Sequence, residues 1–135
     1  MPLMRLNVVL GVLVVRGCDM IIAVDFDHTL SNTGYPNIGQ PNKPLFDALI
    51  KLKAQGHSVI LWTCREDVQL QHAVDWCKEQ GLEFDAVNEN VPWIGFYSRK
   101  VCADVYIDDL AVSEDDWMMK LNAVYINTKL KGGAI

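Results

Sequence analysis

The chain is 135 residues long, with 50% hydrophobic and 21% charged residues, which suits a single globular domain with a substantial core. Acidic residues outnumber basic ones, 17 to 12, for a net charge of −5; this argues against a general nucleic-acid or membrane-surface binder, which would carry a basic face. Cys18, Cys64, Cys77 and Cys102 form no CxxC pair, and His28, His57 and His72 are far apart, which argues against zinc and for a reduced, cytoplasmic setting.

Residues 1–19 hold the apolar run Val8-Val9-Leu10-Gly11-Val12-Leu13-Val14-Val15, between Arg5 and Arg16-Gly17-Cys18. The run is too short to span a bilayer as a helix. It has the length of a signal-peptide core, but Arg16 is wrong for the lipoprotein cleavage site that Gly17-Cys18 resembles. Residues 1–19 are therefore expected to be an extension outside the core. A strand begins at Met20 without a linker, so the domain is expected over 20–127, with a frayed tail at 128–135.

Ile21-Ile22-Ala23-Val24 reads as a strand buried on both faces, running straight into Asp25-Phe26-Asp27-His28-Thr29. A polar Gly/Pro/Asn loop follows from Ser31 to Asn42. Pro44 suits the first turn of a helix whose apolar face is Leu45, Phe46, Leu49, Ile50 and Leu52, stopped by Gly56. Ser58 to Trp62 reads as a second buried strand ending at Thr63, and Cys64-Arg65-Glu66-Asp67 as the opening of a helix that Gly81 stops. Phe84 to Val87 is a short third strand. An aromatic loop from Asn88 to Ser98 follows, closed by Arg99 and Lys100. Ala103 to Ile107 is a fourth strand ending in Asp108-Asp109; Ser113 and Asp116 cap a last helix to about Asn122, and Val124-Tyr125-Ile126 adds an edge strand.

Alternating strands and helices with short connections predict an α/β fold: an open parallel sheet with helices on both faces. Parallel strands end on one edge, which gathers Asp25, Asp27, Thr63 and Asp108-Asp109, with Lys100 arriving just before the fourth strand. That set suits Mg²⁺ held by hard oxygens. A carboxylate beside a lysine, a hydroxyl and Mg²⁺ can attack a phosphoryl group, and a second carboxylate two residues on can move the protons.

Asp25-Phe26-Asp27-His28-Thr29, Thr63 after an apolar strand, Lys100 and Asp108-Asp109 resemble, in order, the four motifs of the haloacid dehalogenase (HAD) superfamily. The match runs from Met20 to about Ser113. The stretches Ile60 to Glu66 and Ala103 to Asp109 resemble small capless bacterial and phage HAD hydrolases. The resemblance implies a Rossmann-like core and a Mg²⁺-dependent phosphatase acting on phosphomonoesters through an aspartyl-phosphate. It makes Asp25 the nucleophile and Asp27 the acid/base, with Thr63 and Lys100 also catalytic. Thr63, Lys100 and Arg65 would bind substrate, and Asp25, Asp27 (through its carbonyl) and Asp108 or Asp109 would hold Mg²⁺. Arg99 is an alternative to Lys100, and His28 stands where many members have glycine.

Neither the Ser31–Lys43 gap nor the segment between Thr63 and Lys100 has room for a cap domain, so the site is expected to be open. The expected partner is a phosphorylated substrate, either a small molecule or a nucleic-acid end, with no membrane and with a second subunit as one way of closing the site. Two rival readings differ in class. A receiver domain would carry its acidic pair first and Lys-Pro late, whereas here the pair comes last and Val101 follows Lys100. A catalytically weak binding or regulatory module on the same fold would be expected to have lost a motif residue, and none is missing.

Overall fold

The computed structural model describes residues 20–108 and 117–122, together with the backbone of 6–9 and 12–15. Strands β1 (Leu6–Val9) and β2 (Val12–Val15) pair antiparallel, Leu6 opposite Val15 and Val9 opposite Val12, in a two-stranded sheet of their own. The second sheet has four strands: β3 (Ile21–Val24), β4 (Ser58–Leu61), β5 (Ala86–Val87) and β6 (Val105–Ile107). All pair in parallel, in the order β5-β4-β3-β6. The fold is thus the open parallel α/β sheet expected from the alternating pattern. β3 is interior, hydrogen-bonded by β4 on one side and β6 on the other.

Side chains of successive strand residues face opposite ways, and the core divides accordingly. Ile22, Val24, Val59 and Leu61 join one cluster with Leu45, Phe46, Leu49 and Leu52 of helix α1 (Lys43–Ala54) and Ala73 and Cys77 of helix α2 (Asp67–Glu79). Trp117 and Leu121, in the short helical stretch 117–122, complete it. Ala23 and Ile60 face the other way. They pack with Ala86, Val91, Ile94 and Val101, around the 3₁₀ turn Pro92–Ile94. α1 is capped by the Asn42 side chain, which accepts from the Leu45 amide at 3.5 Å. Gly56 (φ 102°) and Gly81 (φ 95°) follow the ends of α1 and α2 in the left-handed conformation that glycine enters at least cost.

Three boundaries differ from expectation. α2 begins at Asp67, not Cys64; Glu66 is extended (φ −134°, ψ 161°) and the Arg65 side chain is drawn away into the site described below. β5 and β6 are shorter than the apolar pattern because a carboxylate takes the place of a ladder carbonyl where each begins. Asp85 accepts from the Val59 amide at 2.8 Å, and Asp104 accepts from the Ile21 amide at 2.7 Å. The Ser113–Asp116 cap, the strand at 124–126, the tail 128–135 and Asp109 lie outside the described residues. Among the described residues no helix is long and apolar enough to cross a membrane.

Candidate active site

The carboxyl ends of β3, β4 and β6 meet at one edge. The β3–β6 register pairs Val24 with Ile107, and the Asp25 amide donates to the Ile107 carbonyl at 2.8 Å, so Asp25 and Asp108 are the next step of the same ladder. The β3–β4 register pairs Val24 with Leu61, and the Trp62 amide donates to the Val24 carbonyl at 2.8 Å. Asp25, Trp62, Thr63, Cys64 and Asp108 accordingly line one cavity of about 290 Å³. Asp25 is half-buried, and its Oδ1 accepts from the Phe26 amide at 2.7 Å, which fixes the rotamer of the expected nucleophile.

Thr63 is placed from two sides. Its amide donates to Asn88 Oδ1 at 2.8 Å, and its Oγ1 accepts from the Arg65 amide at 3.2 Å. The hydroxyl proton is thereby left to donate, as a phosphoryl oxygen requires. Asn88 itself has φ 53°, a conformation that asparagine tolerates better than most side chains.

Buried Arg65 and half-buried Asp27 form an ion pair. Arg65 is 1% exposed. Its Nε donates to Asp27 Oδ2 at 3.1 Å and its Nη2 to Asp27 Oδ1 at 2.7 Å, a two-pronged contact. Two further donors reach the Asn37 carbonyl at 2.7 Å, from Nη2, and the Pro36 carbonyl at 3.4 Å, from Nη1. The guanidinium also lies 4.7 Å from the Phe26 ring centroid and 5.3 Å from that of Tyr35. Arg65, expected at the substrate, ties the Asp25–Thr29 turn to the following loop and orients Asp27. His28, in the same turn, has φ 58°, a left-handed conformation that glycine enters at less cost than histidine. Gly34 makes room for it: a Cβ there would stand 2.6 Å from His28 Nε2.

Lys100 is exposed and is not among the residues that line the cavity; none of the ion pairs among the described residues includes it. Its loop is held by Asn90, whose Nδ2 donates to the Ser98 carbonyl at 3.1 Å and to the Lys100 carbonyl at 2.9 Å, while its Oδ1 accepts from the Cys102 amide at 2.6 Å. Arg99 is equally exposed. Of the two carboxylates of Asp108-Asp109, Asp108 lines the cavity and Asp109 lies outside the described residues. No cluster of three or more Asp, Glu, His or Cys occurs among the described residues. The oxygen set of Asp25 and Asp108 nonetheless suits Mg²⁺, which commonly takes one or two protein carboxylates and keeps several waters.

The sequence reading missed three residues that shape this site. Asn88 and Asn90 resemble ordinary loop residues, and only their side-chain bonds across the loop reveal them. Trp62 reads as the last residue of a buried strand but is 43% exposed at the cavity. Its position beside a strand-end threonine was the available signal.

No protein-family model matches the chain, and no curated protein is significantly similar to it. A solved structure described as that of the conserved protein coded by a locus from Bacteroides thetaiotaomicron is 36% identical to it, with a TM-score of 0.67. The match covers 82% of this chain and 93% of the Bacteroides chain.

Proposed function

The chain belongs to the same family as that conserved Bacteroides thetaiotaomicron protein, and we propose that it is a Mg²⁺-dependent phosphomonoesterase of the HAD type. The observation that carries the reading is the meeting of Asp25, Thr63 and Asp108 at one cavity beyond the ends of three adjacent parallel strands. In this reading an Asp25 oxygen attacks phosphorus and the alcohol departs, leaving an aspartyl-phosphate that water then hydrolyses. Asp27 gives its proton to the leaving oxygen and later takes one from the attacking water. Each of its oxygens accepts one bond from Arg65, and a carboxylate oxygen has a second lone pair, so the pairing leaves a position for that proton. Thr63 donates to a phosphoryl oxygen, and Lys100 is assigned to the phosphate charge.

Asp25, Asp108 or Asp109, and the Asp27 carbonyl are the assigned metal ligands. Bound Mg²⁺ would offset the negative charge that otherwise opposes attack of one anion on another. A cytoplasmic setting, with Cys64, Cys77 and Cys102 as free thiols, belongs to the same reading. The rival, a catalytically weak module that binds phosphate on this fold, is favoured by the engagement of Asp27 with Arg65 and by the exposure of Lys100.

Phosphate release from p-nitrophenyl phosphate and a wider monoester panel separates the two. The phosphatase reading expects release with Mg²⁺, silence with a chelator and poor support from Ca²⁺, whose coordination is larger and looser. Phosphate binding without release would favour the module.

A further inference from the structure

The cavity presents one large apolar surface beside its carboxylates. Trp62 is 43% exposed, whereas Leu61 before it is fully buried. Its backbone is fixed level with Asp25 by the bond to the Val24 carbonyl. Its ring meets the Tyr106 ring edge-on, with centroids 5.4 Å apart and planes inclined at 62°. Tyr106 is itself locked: its hydroxyl donates to the Val101 carbonyl at 2.7 Å and accepts from the Ala103 amide at 3.0 Å. The indole is thus a rigid, supported ring next to the expected nucleophile, held before any ligand arrives. Preformed aromatic surfaces bind flat groups at small entropic cost.

We propose that Trp62 makes this a site for phosphomonoesters whose leaving group carries a planar aromatic ring, as in a nucleotide or an aryl phosphate. The proposal rests on the phosphatase reading and names its substrate class. The phosphoryl group sits between Asp25, Thr63 and Asp108, and the ring of the leaving group stacks on the exposed indole face. The cavity, at about 290 Å³, is small for a ligand site. The chain has net charge −5, and a nucleic-acid strand is normally tracked by a basic groove. The charge favours a small monoester over a polymer end.

The test compares kcat/KM for planar monoesters (adenosine 5′-monophosphate, 1-naphthyl phosphate) with that for aliphatic ones (glycerol phosphate, glucose 6-phosphate), in the wild type and in Trp62→Ala and Trp62→Phe. Intrinsic reactivity cancels when the planar-to-aliphatic ratio is compared between variants. That ratio should fall roughly ten- to a hundredfold in Trp62→Ala, the scale of one aromatic stack, and be largely restored in Trp62→Phe. The nucleotide and naphthyl arms show which source of the ring is preferred. An unchanged ratio in a folded Trp62→Ala protein overturns the proposal. If the wild type hydrolyses nothing, the phosphatase reading falls first, and calorimetric titration with adenosine 5′-monophosphate then decides: binding weakened by Trp62→Ala keeps the stacking site, and no binding removes it.

Discussion

At the scale of single residues, the Arg65–Asp27 pair has the clearest energetic consequence. Two charges are held out of water, Arg65 at 1% side-chain exposure and Asp27 at 21%, so removing either leaves the other poorly compensated. Arg65→Ala is expected to destabilise the protein by about 1–3 kcal/mol, the cost of leaving a partly buried hydrogen-bonding group without its partner, read from denaturant midpoints. The double variant Arg65→Ala/Asp27→Ala should cost less than the sum of the two single changes; strict additivity would show that the pair is not coupled. Asp27→Asn therefore probes stability as well as proton transfer, and its activity is interpretable only beside its melting curve. Cys77 gives a pH signature of a different kind. Burial pushes its thiol from 9.0 up to about 12. The folded state holds this proton more tightly than the unfolded state, so the contribution is full below about pH 9 and is lost as pH rises towards about 12. Lysines and tyrosines titrate there too, so the measurement is a difference: stability should fall more steeply with pH in the wild type than in Cys77→Val, a similar-sized apolar replacement. Parallel slopes would refute it. Arg65 also marks a limit of sequence reading. The sequence places it at the opening of a helix and, by resemblance, at the substrate, while its burial depends on carbonyls of Pro36 and Asn37 that only the folded loop brings to it.

At the scale of elements, the parallel strands were the legible part. Unbroken apolar runs at 21–24 and 59–61 suit strands buried on both faces, and parallel pairing then obliges Asp25, Thr63 and Asp108 to share an edge. The ends of α2, β5 and β6 were less legible, because single side chains decide them: Arg65 delays the helix, and Asp85 and Asp104 start the short strands. The apolar run at 8–15 is continuous in the sequence; the structure divides it between β1 and β2. β3 has both edges occupied, by β4 and β6, so β1 and β2 have no strand edge of β3 to join. Removing residues 1–19 is therefore expected to leave the melting temperature of the remaining chain unchanged within error. A drop of several degrees, beyond what a frayed terminus produces, would show that β1 and β2 support the core.

At the scale of the whole molecule, one sheet edge gathers Asp25, Thr63 and Asp108 at a cavity while the opposite ends of the strands are tied by structural carboxylates. Asp85 and Asp104 lie where strands begin and bond backbone amides, whereas Asp25 and Asp108 lie where strands end and face a cavity. The same residue type thus has two fates, fixed by which end of a parallel strand it occupies. Hydrolysis of a phosphate monoester is among the slowest uncatalysed reactions, so a protein that achieves it must combine nucleophile, proton transfer and charge neutralisation at one place. The most direct measurement is phosphate release with Mg²⁺ from the monoester panel by the wild type and by Asp25→Asn, which keeps the side-chain shape and removes the nucleophile. The account predicts metal-dependent release by the wild type and none by the variant at an equal melting temperature. No release by the wild type, or full activity in Asp25→Asn, would contradict it.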